Sequence, residues 1–319
     1  MASVMKKLLL IILIFNFIFL FSCSDNIDNI ENVENTAETE IITTTENIVQ
    51  QPEKLFDLDI VYDEYNDLKL DIYYPTNIIY EKSPLIVAFH GGGWVAGDKS
   101  QIMYIFAPLI EELRENGYTI ATVQYRYADE TIYFPAQVED CINAILYLKN
   151  YLGDVDSIGV MGYSAGAHLA MLSVYAMNKF SASGEMADIK YCLSFAGPAK
   201  FYDEELNDYS PQVLYLIENM FHKIYEAYRA GSPYYHIEII NEKYKIPLFL
   251  AHDENDDVVP FRQSQIMYDM AAEVGIECEL LKLNGVKHQI DFNSELMISP
   301  SSGEAVRIIL DFIYKYSGK

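Results

Sequence analysis

The sequence predicts an α/β domain with a mostly parallel central sheet and helices on both faces. Two observations carry this. From Leu55 onward, strand-like apolar runs alternate with longer helical patterns, the rhythm of strand–helix–strand crossovers. Several runs, above all PLIVAFH at 84–90, are apolar at nearly every position, as strands buried on both faces must be. The composition agrees: 319 residues, 51% hydrophobic and 22% charged, are enough to bury one large core.

Taken in order, 55–62 and 68–74 read as an antiparallel pair with Asn66 and Asp67 as turn residues. Residues 84–90 form a central strand, 102–116 a helix ending at Gly117, and 118–124 the next strand. Pro135 opens a helix in which Val138, Cys141, Ile142, Ile145, Leu148 and Leu152 recur at helical spacing. A strand at 157–162 runs into a glycine-flanked serine, and the apolar helical stretch AHLAMLSVYAM follows. Strands near 191–195, 247–252 and 277–283, with helices near 262–274 and 304–316, complete a domain spanning 54–319. Residues 201–244 break the rhythm with eight tyrosines and helical patches around 213–228. This small insertion reads as a lid or pocket wall, although aromatic residues at such spacing also serve ordinary packing.

The first 53 residues stand apart. Lys6 and Lys7 precede an apolar stretch at 8–21, then Ser22 and Cys23, in the order of a secretory signal peptide; the stretch is short for a bilayer span. Leu20-Phe21-Ser22-Cys23 resembles a bacterial lipobox. That implies removal of 1–22, diacylation of Cys23 and a place in the cell envelope facing periplasm or exterior, with membrane contact through the lipid anchor only. An uncleaved signal anchor would carry the same apolar stretch. Residues 24–53 hold eight acidic side chains and no Lys, Arg or aromatic. Such a segment cannot bury enough surface to offset the entropy of ordering, so 23–53 reads as an acidic, disordered tether.

A formal charge of −25 excludes a general grip on phosphate backbones, so nucleic acid is not an expected partner. The cysteines Cys23, Cys141, Cys192 and Cys278 show no paired spacing, which leaves a structural zinc site or disulfide framework unsupported.

Four short strings carry chemistry. In Gly162-Tyr163-Ser164-Ala165-Gly166 the glycines relieve crowding at a sharp strand-to-helix turn that presents Ser164 to a base. In His90-Gly91-Gly92-Gly93-Trp94 the glycines let backbone N–H groups approach an oxyanion closely; Gly92 and Gly93 are the expected donors, with the amide of Ala165. His90 reads as a residue orienting this loop. Trp94 either walls the acyl pocket or packs, and Tyr163 is a second candidate for the pocket. The stretch 252–260 supplies four carboxylates, of which residue type alone does not choose the triad acid; the other three read as solvated surface, and His252 as the end of a strand. Of six histidines only His288, in Gly285-Val286-Lys287-His288, lies in a loop after a late strand and downstream of serine and acid.

These strings resemble the α/β-hydrolase superfamily, in its esterase/lipase branch with an HGGGW oxyanion loop and a GxSAG elbow, over roughly 68–316. The run Ser164-Ala165-Gly166-Ala167-His168-Leu169-Ala170 is similar to the feruloyl/acetyl-xylan-esterase-like subgroup. The resemblance implies the acid motif H-G-x-x-D-x-x-V-P, which falls on His252 and makes Asp256 the triad acid, with Asp253 in place of the glycine. The expected activity is hydrolysis of short-chain acyl esters, carbohydrate esters included, through Ser164, His288 and Asp256, with no metal or organic cofactor. Two readings compete: an arylformamidase-like amidase or serine peptidase on the same fold, and a non-catalytic surface lipoprotein that binds carbohydrate through the insertion.

Overall fold

The structure is a computed structural model and describes residues 52–319 except 154, 202 and 294–298; the expected signal peptide, Cys23 and most of the tether lie outside these residues. Eight strands form one sheet: β1 (Phe56–Asp63), β2 (Leu68–Tyr73), β3 (Leu85–Phe89), β4 (Thr119–Val123), β5 (Ile158–Tyr163), β6 (Ile189–Phe195), β7 (Leu248–Asp253) and β8 (Cys278–Leu283). Their spatial order is β1-β2-β4-β3-β5-β6-β7-β8. β1 and β2 pair antiparallel, β2 pairs antiparallel with β4, and every later pairing is parallel. The all-apolar sequence of β3 (LIVAF) matches its burial at every position, and β4 (TIATV), with two β-branched threonines among its apolar residues, is buried throughout as well. β1, at one edge, mixes acidic with apolar residues and stays half exposed.

The helices are α1 (Gln101–Ile105), α2 (Ala107–Glu115), α3 (Ala136–Tyr151), α4 (Ala165–Tyr175), α5 (Met177–Phe180), α6 (Pro211–Phe221), α7 (Tyr225–Ala230), α8 (Pro233–Glu238), α9 (Arg262–Glu273) and α10 (Ser302–Ser317). Successive strand residues face opposite sides, so Ile86 and Ala88 of β3 join Leu109, Ile110, Leu113, Ile309, Phe312 and Ile313 in a core under α2 and α10. On the other face α4 packs against β5, β6 and α3. Every one of its eleven residues is buried, which is why its sequence is apolar all round instead of striped.

The single helix expected at 102–116 is two helices broken at Phe106 (φ −108°). Pro108 has no N–H to give the Tyr104 carbonyl four residues back, and Asn293 Nδ2 donates to that oxygen instead at 3.1 Å. The short helix α5 was not foreseen.

The insertion is packed into the domain. Phe201 N donates to Ser232 Oγ at 3.0 Å, Tyr234 N to Ala199 O at 3.1 Å, and Phe134 N to Met220 O at 2.9 Å. Leu216, Ile217, Met220 and Phe221 of α6 are buried.

Helix α4 crosses the end of β3 closely enough that a Cβ on Gly166 would fall 2.2 Å from the Phe89 carbonyl oxygen and 2.4 Å from that of His90. Both obstacles are backbone and cannot swing aside. Gly166→Ala is therefore expected to lower unfolding free energy by about 3 kcal/mol, the upper end of ordinary overpacking costs, as read from urea denaturation.

Candidate active site

Strand β5 delivers Ser164 into a left-handed conformation, φ 54° and ψ −120°, directly before the first turn of α4. A non-glycine residue there is strained, and the surrounding structure holds it: Ser164 N donates to Phe195 O at 2.8 Å. A Cβ at Gly162 would lie 2.2 Å from the Gly166 carbonyl oxygen, so the turn closes only with glycine at that position.

Ser164 and His288 are 124 residues apart in sequence, yet Ser164 Oγ lies 2.9 Å from His288 Nε2. His288 Nδ1 lies 2.8 Å from Asp256 Oδ2. The structure thus brings together the three residues singled out as nucleophile, base and acid, and both His288 and Ser164 are buried. Asp256 Oδ1 accepts from Val258 N at 2.8 Å and Val259 N at 2.9 Å. Burial on its own would raise this carboxyl's pKa. Hydrogen bonds from His252 and His288 outweigh it and hold the group well below the usual carboxylate range, so Asp256 is ionised. An ionised carboxylate can only accept, so His288 Nδ1 carries its proton, the neutral ring leaves Nε2 as acceptor, and the serine hydroxyl donates to it.

The glycine loop lies against this relay: a Cβ on Gly91 would be 3.3 Å from Ser164 Cβ. Gly92 (φ 119°) and Gly93 (φ 60°) take conformations that favour glycine. Among the described residues the amides of Gly92, Gly93 and Ala165 donate to no protein acceptor, which leaves three N–H groups for a bound oxygen. His90 orients the loop as expected: its Nδ1–H donates to Gly91 O at 2.7 Å, and its ring stacks on Tyr125 at 4.3 Å.

The two pocket candidates each make a structural hydrogen bond. Trp94 is buried, and the acceptor its indole N–H therefore needs is His168 Nδ1 at 3.1 Å. His168 then donates from Nε2 to Gly231 O at 2.6 Å, linking the oxyanion loop to the insertion. Tyr163 turns its hydroxyl to the His288 carbonyl and anchors that residue's backbone.

Two functional neighbours were missed. His252 was expected only to end a strand; its Nε2 lies 3.1 Å from Asp256 Oδ2 and 2.9 Å from Val259 O, and its Nδ1 lies 2.7 Å from Ser264 Oγ. Two acceptors facing Nε2 assign the proton there. The spacing of four residues between His252 and Asp256 was the available signal. Asp253 was expected among the solvated carboxylates but is fully buried. Its backbone ends β7 without the positive φ that a glycine position suggests, so aspartate fits there unstrained. Only Glu254 and Asp257 are surface groups, paired with Lys282 and Lys287.

With this geometry in place, comparison with known proteins is direct. The family model BD-FAE matches residues 70–270. The chain belongs to the BD-FAE family. The probable carboxylic ester hydrolase LipM of Mycobacterium tuberculosis is 30% identical over 234 residues, which cover 68% of this chain and 52% of LipM. The chain spans about half the length of the curated relatives it matches. Two solved structures share the fold. A truncated carbohydrate esterase from gut microbiota is 19% identical with a TM-score of 0.64, over 84% of this chain and 99% of that one. Thermogutta terrifontis esterase 2, phosphonylated by sarin, is 22% identical with a TM-score of 0.65, over 85% and 97%. The chain thus has the α/β-hydrolase fold.

Among the described residues of this BD-FAE member, no group of three or more His, Cys, Asp or Glu side chains could hold a metal ion. Three buried histidines have a thermodynamic consequence. Burial pushes His90, His168 and His236 from the ordinary 6.5 down to about 4. Between these values the unfolded chain binds protons that the folded one refuses, so stability rises with pH across the window. It is complete above pH 6.5 and is lost as pH falls toward 4, by up to about 4 kcal/mol per pH unit for three such groups. Unfolding free energies measured between pH 7.5 and 4.5 are expected to stay level to about 6.5 and then drop steeply.

Proposed function

We propose that the chain is a serine carboxylic ester hydrolase acting on short-chain acyl esters, with acetylated or feruloylated carbohydrate as the substrate class. The observation that carries this reading is the unbroken relay Ser164 Oγ–His288 Nε2 and His288 Nδ1–Asp256, beside amides with no protein acceptor.

In this mechanism Ser164 Oγ attacks the ester carbonyl carbon as its proton passes to His288 Nε2. Asp256 holds the ring in the required tautomer and stabilises the imidazolium that forms. The carbonyl oxygen becomes an oxyanion, received by the amides of Gly92, Gly93 and Ala165. The tetrahedral centre collapses, the alkoxide leaves with the proton from His288, and an acyl-serine remains. Water then attacks the acyl carbon, giving its proton to His288, and carboxylic acid and free Ser164 are released.

The insertion supports the acetyl side of this reading. An ideal Cβ on Gly93 would sit 2.7 Å from Leu216 Cδ1, so α6 leans directly on the oxyanion loop and acts as a pocket wall. A crowded loop suits acetyl better than long acyl chains. The gut-microbiota neighbour is a carbohydrate esterase, which supports the alcohol side of the same reading. The lipobox-like string supports a place in the cell envelope, with diacylated Cys23 as anchor and 23–53 as tether.

Three outcomes test these assignments. The full chain in detergent is expected to hydrolyse p-nitrophenyl acetate and acetylated xylo-oligosaccharide in preference to N-formylkynurenine. Ser164→Ala is expected to lower turnover by about 10⁶-fold and to abolish labelling by a fluorophosphonate while leaving circular dichroism unchanged. Full activity in that variant, or no labelling of the wild type, would end the assignment. Separately, Cys23→Ser is expected to move the protein from the detergent phase to the aqueous phase on Triton X-114 partitioning; unchanged partitioning would favour an uncleaved anchor.

A further inference from the structure

Asp253 closes β7 with its carboxylate sealed from solvent, and it touches none of the three relay side chains. Its hydrogen-bond partners are backbone amides. Oδ2 accepts from Val286 N at 2.8 Å and from Lys287 N at 2.9 Å, while Oδ1 accepts from Asn255 N at 2.7 Å. The first two amides belong to the turn that leads from β8 to His288. Gly285 (φ 103°) and Lys287 (φ 52°) are both left-handed there, and the turn's N–H groups converge on one acceptor.

The location gives the contact its meaning. Register between β7 and β8 ends with Asp253 opposite Leu283, and the last backbone bond between the two segments runs from Glu254 N to Leu283 O at 3.0 Å. Beyond it the two loops diverge, one carrying Asp256 three residues on and the other carrying His288 five residues on. No ladder holds them in step. The Asp253 carboxylate does, because it binds its own loop through Asn255 and the opposite loop through Val286 and Lys287. Surface charges nearby are already engaged: Lys287 Nζ pairs with Asp257 at 2.9 Å and Lys282 Nζ with Glu254 at 3.2 Å.

We propose that Asp253 is a positioning residue for the proton relay: its buried carboxylate ties the acid loop to the two amides preceding His288 and so sets the imidazole between Asp256 and Ser164. The proposal rests on the relay being the esterase machinery described above. It explains why a carboxylate is retained inside the domain at a position where the family's acid motif carries glycine. A glycine offers the turn amides no acceptor, and here two of them need one.

The test uses the full chain in detergent with p-nitrophenyl acetate, and active sites counted by fluorophosphonate titration. Asp253→Ala removes both carboxylate acceptors. It is expected to lower kcat per titrated site by about 10²-fold, the scale of a misplaced catalytic group, with KM held within about twofold. Asp253→Asn is the conservative partner. Because Oδ2 alone receives both turn amides, the single amide oxygen can take that place, and this variant is expected to recover most of the lost kcat. Wild-type kcat per site in Asp253→Ala, or equal losses in the two variants, would overturn the proposal. Should Asp253→Ala fail to fold, hydrogen exchange on the wild type still decides. The Val286 and Lys287 amides are expected to be protected at the level of β7, and exchange at open-loop rates would overturn the clamp. That measurement does not depend on catalysis, so a wild type without esterase activity would end the functional reading while leaving the clamp to stand or fall on exchange alone.

Discussion

The ionised side chain of Asp256, which has no exposed surface, is the constraint around which the site is arranged. A carboxylate taken out of water costs several kcal/mol unless its lone pairs are filled. Here four donors fill them: the amides of Val258 and Val259, and the rings of His252 and His288. These donors come from three different pieces of the fold. His252 comes from the body of β7, the two amides from the loop beyond it, and His288 from the loop after β8. Satisfying one buried charge therefore fixes three backbone segments at once. The tautomer of His288, and with it the direction of the proton from Ser164, follows from that charge being present.

Part of the backbone strain lies around the same point. Ser164, Trp94 and Lys287 all have positive φ without being glycine. Each such residue costs on the order of 1–3 kcal/mol and persists only where its neighbours over-determine it. Ser164 is held between β5 and the wholly buried α4, Trp94 by its indole hydrogen bond to His168, and Lys287 by the hydrogen bond its backbone N–H donates to Asp253. These three lie one each in the segments that carry Ser164, the glycine loop and His288. Rigidity at these three places keeps the relay assembled before substrate arrives, which is what makes electrostatic stabilisation of an oxyanion effective.

How much of this was legible in the sequence depended on whether the signal was local. The elbow and the glycine loop were readable because their chemistry needs glycine at fixed spacing within one short string. The central strands were readable because burial on both faces leaves an unbroken apolar run. The break at Phe106 depended on Pro108, a local signal that the apolar spacing of 102–116 concealed. Asp253 was misjudged, and Trp94 left open between pocket wall and packing, for a different reason. What decides their roles are partners 33 and 74 residues away, the Val286 amide and the His168 ring, and no pattern around either residue points to them. A carboxylate in an acidic loop and a tryptophan after three glycines look the same in sequence whether they face water, substrate or a distant backbone.

The buried histidines show how such long-range pairings bear on conditions of use. His168 accepts from Trp94 with one ring nitrogen and donates to Gly231 with the other, and only a neutral imidazole does both. His236 does the same between the Lys179 ammonium and the Ala230 carbonyl. These two rings join the body of the domain to the insertion at adjacent points, since Ala230 and Gly231 are neighbours in the chain. Protonation would replace an acceptor with a donor at both places, setting His168 against the indole N–H and His236 against an ammonium. The oxyanion loop, through Trp94, stands one bond from the first of these. Acid would thus loosen the insertion and the loop together, and the neutral state of rings that touch no substrate is a condition for the geometry of the groups that do.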